Sequence, residues 1–182
     1  SIGDRQDVLI FFELPESLRV LKEVAFWDVY YEHCSYFTPG SLARLFRREG
    51  FDVLDVGLAF DNQYILLHAR PGDGTSPVLP LEKDLAEIAA AVQTYRIGFD
   101  RKIGELDEMI AATEKADGKT AIWGAGSKGV AFLTQFGDRI SYGIDINQRK
   151  QGMFMPGTGH AVVAPEHMLT DPPALILAMN SI

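Results

Sequence analysis

The ten residues AIWGAGSKGV, at positions 121–130, restrict the fold of this chain more than any other stretch. An apolar run meets Gly124, Gly126 and Gly129 in a G-x-G-x-x-G spacing, and a helical pattern follows. The physics of such a loop is specific. The first glycine permits a tight turn out of a strand, the second lets an anion approach the backbone, and the third lets helix and strand pack closely. The first amides of the helix then face the anion. Asp145 follows Gly124 by 21 residues, near the end of a second predicted strand, where dinucleotide-binding folds hold a ribose hydroxyl. Lys128 adds a point charge inside the loop, which suits a diphosphate without demanding NAD. Alone, the loop leaves three readings open: a phosphate-bearing substrate, a dinucleotide, or a tight turn with no ligand.

The surrounding pattern is β-α-β. Residues 119–123 read as a strand, 127–136 as a helix and 140–146 as a second strand, and a long segment with Gly and Pro turns follows, QRKQGMFMPGTGHAVVAPEHM. A buried-type strand, ALILAM at 174–179, comes last. Upstream, residues 8–14 (VLIFFEL) read as a strand that leaves into a loop at Pro15. Thr38 suits a helix N-cap, Pro39 the first turn, Leu42, Leu45 and Phe46 one apolar stripe, and Gly50 the C-terminal cap. Residues 51–57 and 63–69 read as two strands. The stretch RPGDGTSPVLP at 70–80 is the best domain boundary. After it, Leu85, Ile88, Val92, Tyr95, Phe99, Ile103, Leu106 and Ile110 recur at three- and four-residue steps, a long amphipathic helix with a bend expected near Gly98 or Gly104.

Composition excludes some functions. A net charge of -8 with no basic block argues against nucleic acid as a partner. No apolar run approaches the roughly 18 residues of a membrane span. A single cysteine, Cys34, rules out an internal disulfide, and with no secretory signal visible a cytoplasmic location is expected. The chain lacks an initiator Met and has a strand near each end, so a piece of a longer protein is expected.

The second notable segment is WDVYYEHCSYF, at 27–37. It gathers Tyr30, Glu32 and His33 within four positions. Histidine can act as a general base near neutral pH, a carboxylate can orient it, and a tyrosine hydroxyl can donate to an oxyanion. By residue type this is a proton-abstraction set, although a Glu-His pair can also simply hold a loop in place.

The stretch FELPES…VYYEHCSYFTPGSLARLFRREGFDVLDV resembles the last third of class I S-adenosylmethionine-dependent methyltransferases. GAGSKGVAFL, YGIDINQRKQGMFMPGTGHAVVAPE and ALILAMNS resemble, more specifically, the C-terminal region of the sugar C-methyltransferase family. The resemblance runs from Val8 onward, and its Lys-Gln-Gly…Pro-Gly-Thr spacing is the most specific part. It implies an α/β fold: a Rossmann-like, mainly parallel sheet with flanking helices, preceded by the closing strands of a methyltransferase core. The implied division is core at 1–72, linker and long helix at 73–116, and a truncated Rossmann-like domain at 117–182. In such enzymes a base removes a proton next to a ketone, and the enolate takes the methyl group of S-adenosylmethionine. By position the resemblance makes His33 the base, with Glu32 and Tyr30 in support. It makes Gly124, Ala125, Gly126, Ser127, Lys128 and Asp145, with Lys150, Pro156, Gly157 and Thr158 as a neighbouring wall, the enclosure of a nucleotide-linked keto-sugar.

Two features separate this chain from that pattern. Sugar-methylating members carry His-Gly-Gly between the two closing strands, where this chain has Phe60-Asp61-Asn62-Gln63-Tyr64. The S-adenosylmethionine site is expected on strands preceding Ser1, so the chain alone is expected to be inactive. Two other readings remain. An NAD-dependent oxidoreductase or epimerase would explain the glycine loop and Asp145. A binding or dimerisation module would use residues 82–114 as its contact helix, in a homodimer.

Overall fold

The computed structural model describes residues 5–179; Asn180 and Ser181 of the last quoted motif lie outside that range. Two units divide the chain, one made of residues up to 24 with 35–97, the other of 25–34 with 98 onward.

The first unit is a three-stranded antiparallel sheet in the order β1-β3-β2, from β1 (Ile10–Pro15), β2 (Phe51–Ala59) and β3 (Tyr64–Pro71). Two helices belong to it, the short α1 (Ser17–Glu23) and α2 (Pro39–Arg48). α2 begins where Thr38 and Ser41 cap each other reciprocally. Its apolar stripe places Leu42 and Ala43 in a core with Val53, Val56, Ile65, Leu67 and Ala69. Alternation along the strands supplies those residues: the register pairs Val56 with Leu67 and Leu58 with Ile65, so one face of the hairpin carries the apolar set. Gly50 closes the helix at φ 80°, as its position predicts.

The second unit contains a four-stranded parallel sheet in the order β6-β5-β4-β7, with β4 (Thr120–Trp123), β5 (Tyr142–Ile144), β6 (Val162–Val163) and β7 (Leu175–Ala178). Helix α4 (Ser127–Phe136) connects β4 to β5. Ala121, Tyr142 and Ile144 form a core with Trp123, Val163 and Met168. Ile122, fully buried, points the other way, toward α4. This is the Rossmann-like parallel sheet implied by the sequence. The chain moves outward from β4 through β5 to β6, then returns to β7 on the other side of β4, so the order reverses at β4.

Several boundaries differ from the sequence-based expectation. The chain divides at Ile97/Gly98 rather than in the Pro- and Gly-rich stretch at 70–80, and residues 25–34 group with the second unit. α3 (Leu85–Lys115) runs helically through Gly98 and Gly104 and contributes residues to both units. Residues 17–23, which follow the loop expected at Pro15, are helical because Glu16 caps them, its carboxylate accepting from Leu18 N at 2.7 Å and Arg19 N at 2.6 Å. Among the described residues no helix is long and apolar enough to cross a membrane, and no His/Cys/Asp/Glu cluster could hold a metal ion.

Candidate active site at the glycine loop

Aromatic packing explains why residues 25–34 belong to the second unit. Ala25 is fully buried, and Phe26 lies among Phe99, Phe132 and Phe136, with ring centroids 6.0–6.4 Å apart. Two of those rings are on α4, so Phe26 fastens the start of the segment to the helix that follows the glycine loop. Two residues on, the buried Asp28 places Oδ1 2.9 Å from Lys128 Nζ. Then Tyr30 packs its ring on His33, centroids 4.2 Å apart, and the His33 N–H donates to the Tyr30 carbonyl at 3.1 Å. Glu32 Oε1 accepts from Ser127 Oγ at 2.9 Å.

The loop has the geometry its glycines require. Gly124 sits at φ 108°, a conformation that disfavours any side chain. A Cβ on Gly129 would lie 2.6 Å from the Gly124 carbonyl oxygen, so only glycine lets α4 come this near. Gly126 is the N-cap of α4 and offers no side chain to the helix end, leaving the first-turn amides without intrahelical partners.

A cavity of about 310 Å3 opens here. Its floor is the carboxyl end of the sheet, with Gly124 and Gly126 after β4, Asp145 after β5 and Met179 after β7. Tyr30, Ser127, Lys128 and Lys150 complete the lining. The carboxyl ends of parallel strands, at the point where strand order reverses, are where open α/β sheets place ligands. Asp145 is buried and bonded at both oxygens. Oδ1 accepts from the Asn147 N–H at 2.8 Å, and Oδ2 from the Ala125 N–H at 3.0 Å and Lys150 Nζ at 2.9 Å. Burial pushes its carboxyl up, but the Asn147 N–H, Lys150 and the Ala125 N–H outweigh burial and hold it below the ordinary aspartate value.

The comparisons with known proteins agree with this architecture. Residues 82–181 match the model of the C-methyltransferase C-terminal domain family. The chain belongs to that family. C-methyltransferase NovU of Streptomyces niveus is 33% identical over 189 aligned residues, which take in 96% of this chain. The chain spans 45% of that relative's length.

Membership in a C-methyltransferase family implies S-adenosylmethionine as methyl donor. The residues around this glycine loop do not fit its adenosyl group. The acid that would hold a ribose, Asp145, is buried, with Oδ2 accepting from the loop's Ala125 N–H and from Lys150 and Oδ1 accepting from the Asn147 N–H.

Within the second unit, the structure gathers Tyr30, the glycine loop, Lys128, Asp145 and Lys150 at one cavity, with Glu32 and His33 attached through Ser127 and Tyr30. It does not bring Pro156, Gly157 and Thr158 there. Thr158 approaches Gly137, where a Cβ would meet its methyl at 3.5 Å, beyond the C-terminal end of α4. A ten-residue helix is about 15 Å long, so Thr158 stands at the far end of α4 from the cavity, and Pro156 and Gly157 are not among the residues that line it. The cause is local: Met155 is buried while Pro156 and Gly157 turn outward, and the His160 ring bonds the Gly137 carbonyl at 2.8 Å. Sequence reasoning missed Asp28, which has no motif of its own and whose partner is 100 positions away.

The first unit has a separate cavity of about 370 Å3, whose lining includes Glu16, Arg19, Lys22, Asp61 and Asn62. Asp61 and Asn62 come from the turn between β2 and β3, and Phe60, Asp61 and Asn62 all have left-handed backbones, φ 51°, 54° and 60°. Burial pushes the Glu16 carboxyl above the ordinary glutamate value, against the N–H groups of Arg19 and Leu18.

Proposed function

We propose that this chain is the acceptor-side part of an S-adenosylmethionine-dependent C-methyltransferase acting on a nucleotide-linked keto-sugar or a related small carbonyl compound. One observation carries the reading: the Tyr30–His33 segment and the glycine loop meet at one cavity, with Tyr30 in the lining and against the His33 ring. His33 takes the proton from the carbon next to the acceptor carbonyl. The C–H electron pair moves into the enolate, and the Tyr30 hydroxyl donates to the oxygen that gains charge. The carbon so activated receives the methyl group. Glu32 fixes the segment beside His33. The loop amides and Lys150 attract the acceptor's phosphates. Donor binding falls to residues outside this chain, which alone transfers no methyl group.

The test is methyl transfer from radiolabelled S-adenosylmethionine to a panel of nucleoside-diphosphate keto-hexoses by the enzyme that carries this chain. His33→Ala should abolish transfer while S-adenosylmethionine binding persists. Turnover retained in that variant, or no transfer to any acceptor by the unaltered enzyme, contradicts the reading. Homodimerisation through residues 82–114 belongs to the same proposal. Leu85 and Val92 expose 67% and 45% of their surface on α3, and making both polar should lower the sedimentation mass.

A further inference from the structure

Ser127 and Lys128 line the cavity, and the side chains of both are also bonded to the segment that carries Tyr30 and His33. Ser127 Oγ donates to Glu32 Oε1 at 2.9 Å, and Lys128 Nζ pairs with Asp28 Oδ1 at 2.9 Å. The dipeptide therefore acts in two directions. It lines the cavity at the first turn of α4, and its side chains hold the segment that carries Tyr30 and His33. Asp28 keeps only 8% of its side chain exposed and Lys128 23%, so the pair is well shielded from water. Shielding strengthens the attraction and makes loss of either partner costly. Phe26 fixes the same segment from the other side through its aromatic contacts.

We infer that Asp28 and Ser127 are positioning residues for methyl transfer: through Lys128 and Glu32 they hold the Tyr30–His33 segment at the glycine-loop cavity. This rests on the reading of His33 as the base. It departs from the resemblance on Lys128 and Ser127, whose side chains serve the catalytic segment rather than the acceptor's phosphates. Anion attraction falls to the loop amides and to Lys150, whose Nζ also pairs with Asp145 but whose side chain stays 40% exposed, against 23% for Lys128. A base displaced by about an ångström loses up to about a hundredfold in rate, whereas a group that only binds the acceptor changes its affinity.

The experiment measures kcat and acceptor KM of the full enzyme, with the best nucleoside-diphosphate keto-hexose of the panel, for Ser127→Ala, Ser127→Thr, Asp28→Asn and His33→Ala. The double variant Asp28→Lys with Lys128→Asp covers the case in which Asp28→Asn fails to fold. Ser127→Ala and Asp28→Asn should lower kcat about ten- to a hundredfold with KM changed by less than about threefold. Ser127→Thr, which keeps the hydroxyl, and the charge exchange should each recover a substantial part of kcat. Unchanged kcat in Ser127→Ala, or a raised KM at unchanged kcat, overturns the inference while an inactive His33→Ala leaves the base assignment standing. An active His33→Ala removes the base assignment, and the inference with it.

Discussion

Lys128 Nζ lies 2.9 Å from Asp28 Oδ1, joining the first turn of the helix after the glycine loop to a segment 100 positions earlier in the chain. A lysine inside a G-x-G-x-x-G loop invites assignment to a phosphate, but here its charge already has a buried carboxylate. Removing Asp28 by Asp28→Ala leaves an ammonium that is 23% exposed without this partner. The expected loss is about 1–3 kcal/mol of unfolding free energy, whereas the apolar pair Asp28→Leu with Lys128→Met should cost less than either single change. Urea unfolding of the unaltered protein, Asp28→Ala, Asp28→Leu, Lys128→Met and the double variant checks this. Equal or additive losses would contradict it.

Gly129 faces a different constraint. With a built Cβ 2.6 Å from the Gly124 carbonyl oxygen and 3.1 Å from Ile122, Gly129→Ala must push α4 away from β4. The expected destabilisation is about 1–3 kcal/mol, together with weaker binding of nucleoside diphosphates, because the loop amides move with the helix. Gly104→Ala is the comparison, since a Cβ there meets nothing within 4 Å. It should be stabilising by about 0.4–1 kcal/mol, as a helical glycine gives up more backbone freedom on folding than alanine does.

Two carboxyls respond to pH in opposite directions. Asp145 titrates below the ordinary aspartate value in the folded protein, so its contribution is present above that value and is lost as pH falls through the lower folded value. Glu16 titrates above the ordinary glutamate value, so its contribution is full below 4.5 and is lost as pH rises through the raised folded value. Urea midpoints measured from pH 3 to 7 should therefore show Asp145→Asn flattening the acid side of the profile. Glu16→Gln should flatten the part above pH 4.5. The reverse assignment would contradict the environments described for both groups.

What could be read in the sequence follows from the range of the forces involved. β4, the glycine loop, α4 and β5 were legible because glycine spacing, strand length and helical period are local, and α2 was legible from its cap and stripe. The placement of residues 25–34 was not, because it depends on Phe26 meeting rings at 99, 132 and 136. Asp28 escaped notice for the same reason. Pro156 to Thr158 were assigned to the cavity by resemblance, and the buried Met155 and the His160 bond to Gly137 carry them elsewhere. The 21-residue spacing from Gly124 to Asp145 is real, but its meaning lay in the third dimension. The carboxylate that spacing suggested for a ribose closes the loop through Ala125 and Lys150.

The central claim is that the glycine-loop cavity takes the acceptor of a methyl transfer rather than a dinucleotide. Calorimetric titration of the full enzyme with NAD and with nucleoside-diphosphate sugars, each repeated on Lys150→Ala, tests it most directly. The account predicts saturable binding of a nucleoside-diphosphate sugar, weakened about tenfold or more by Lys150→Ala as a charge-assisted contact is lost, and no binding of NAD. Saturable binding of NAD, with none for the sugars, would contradict it.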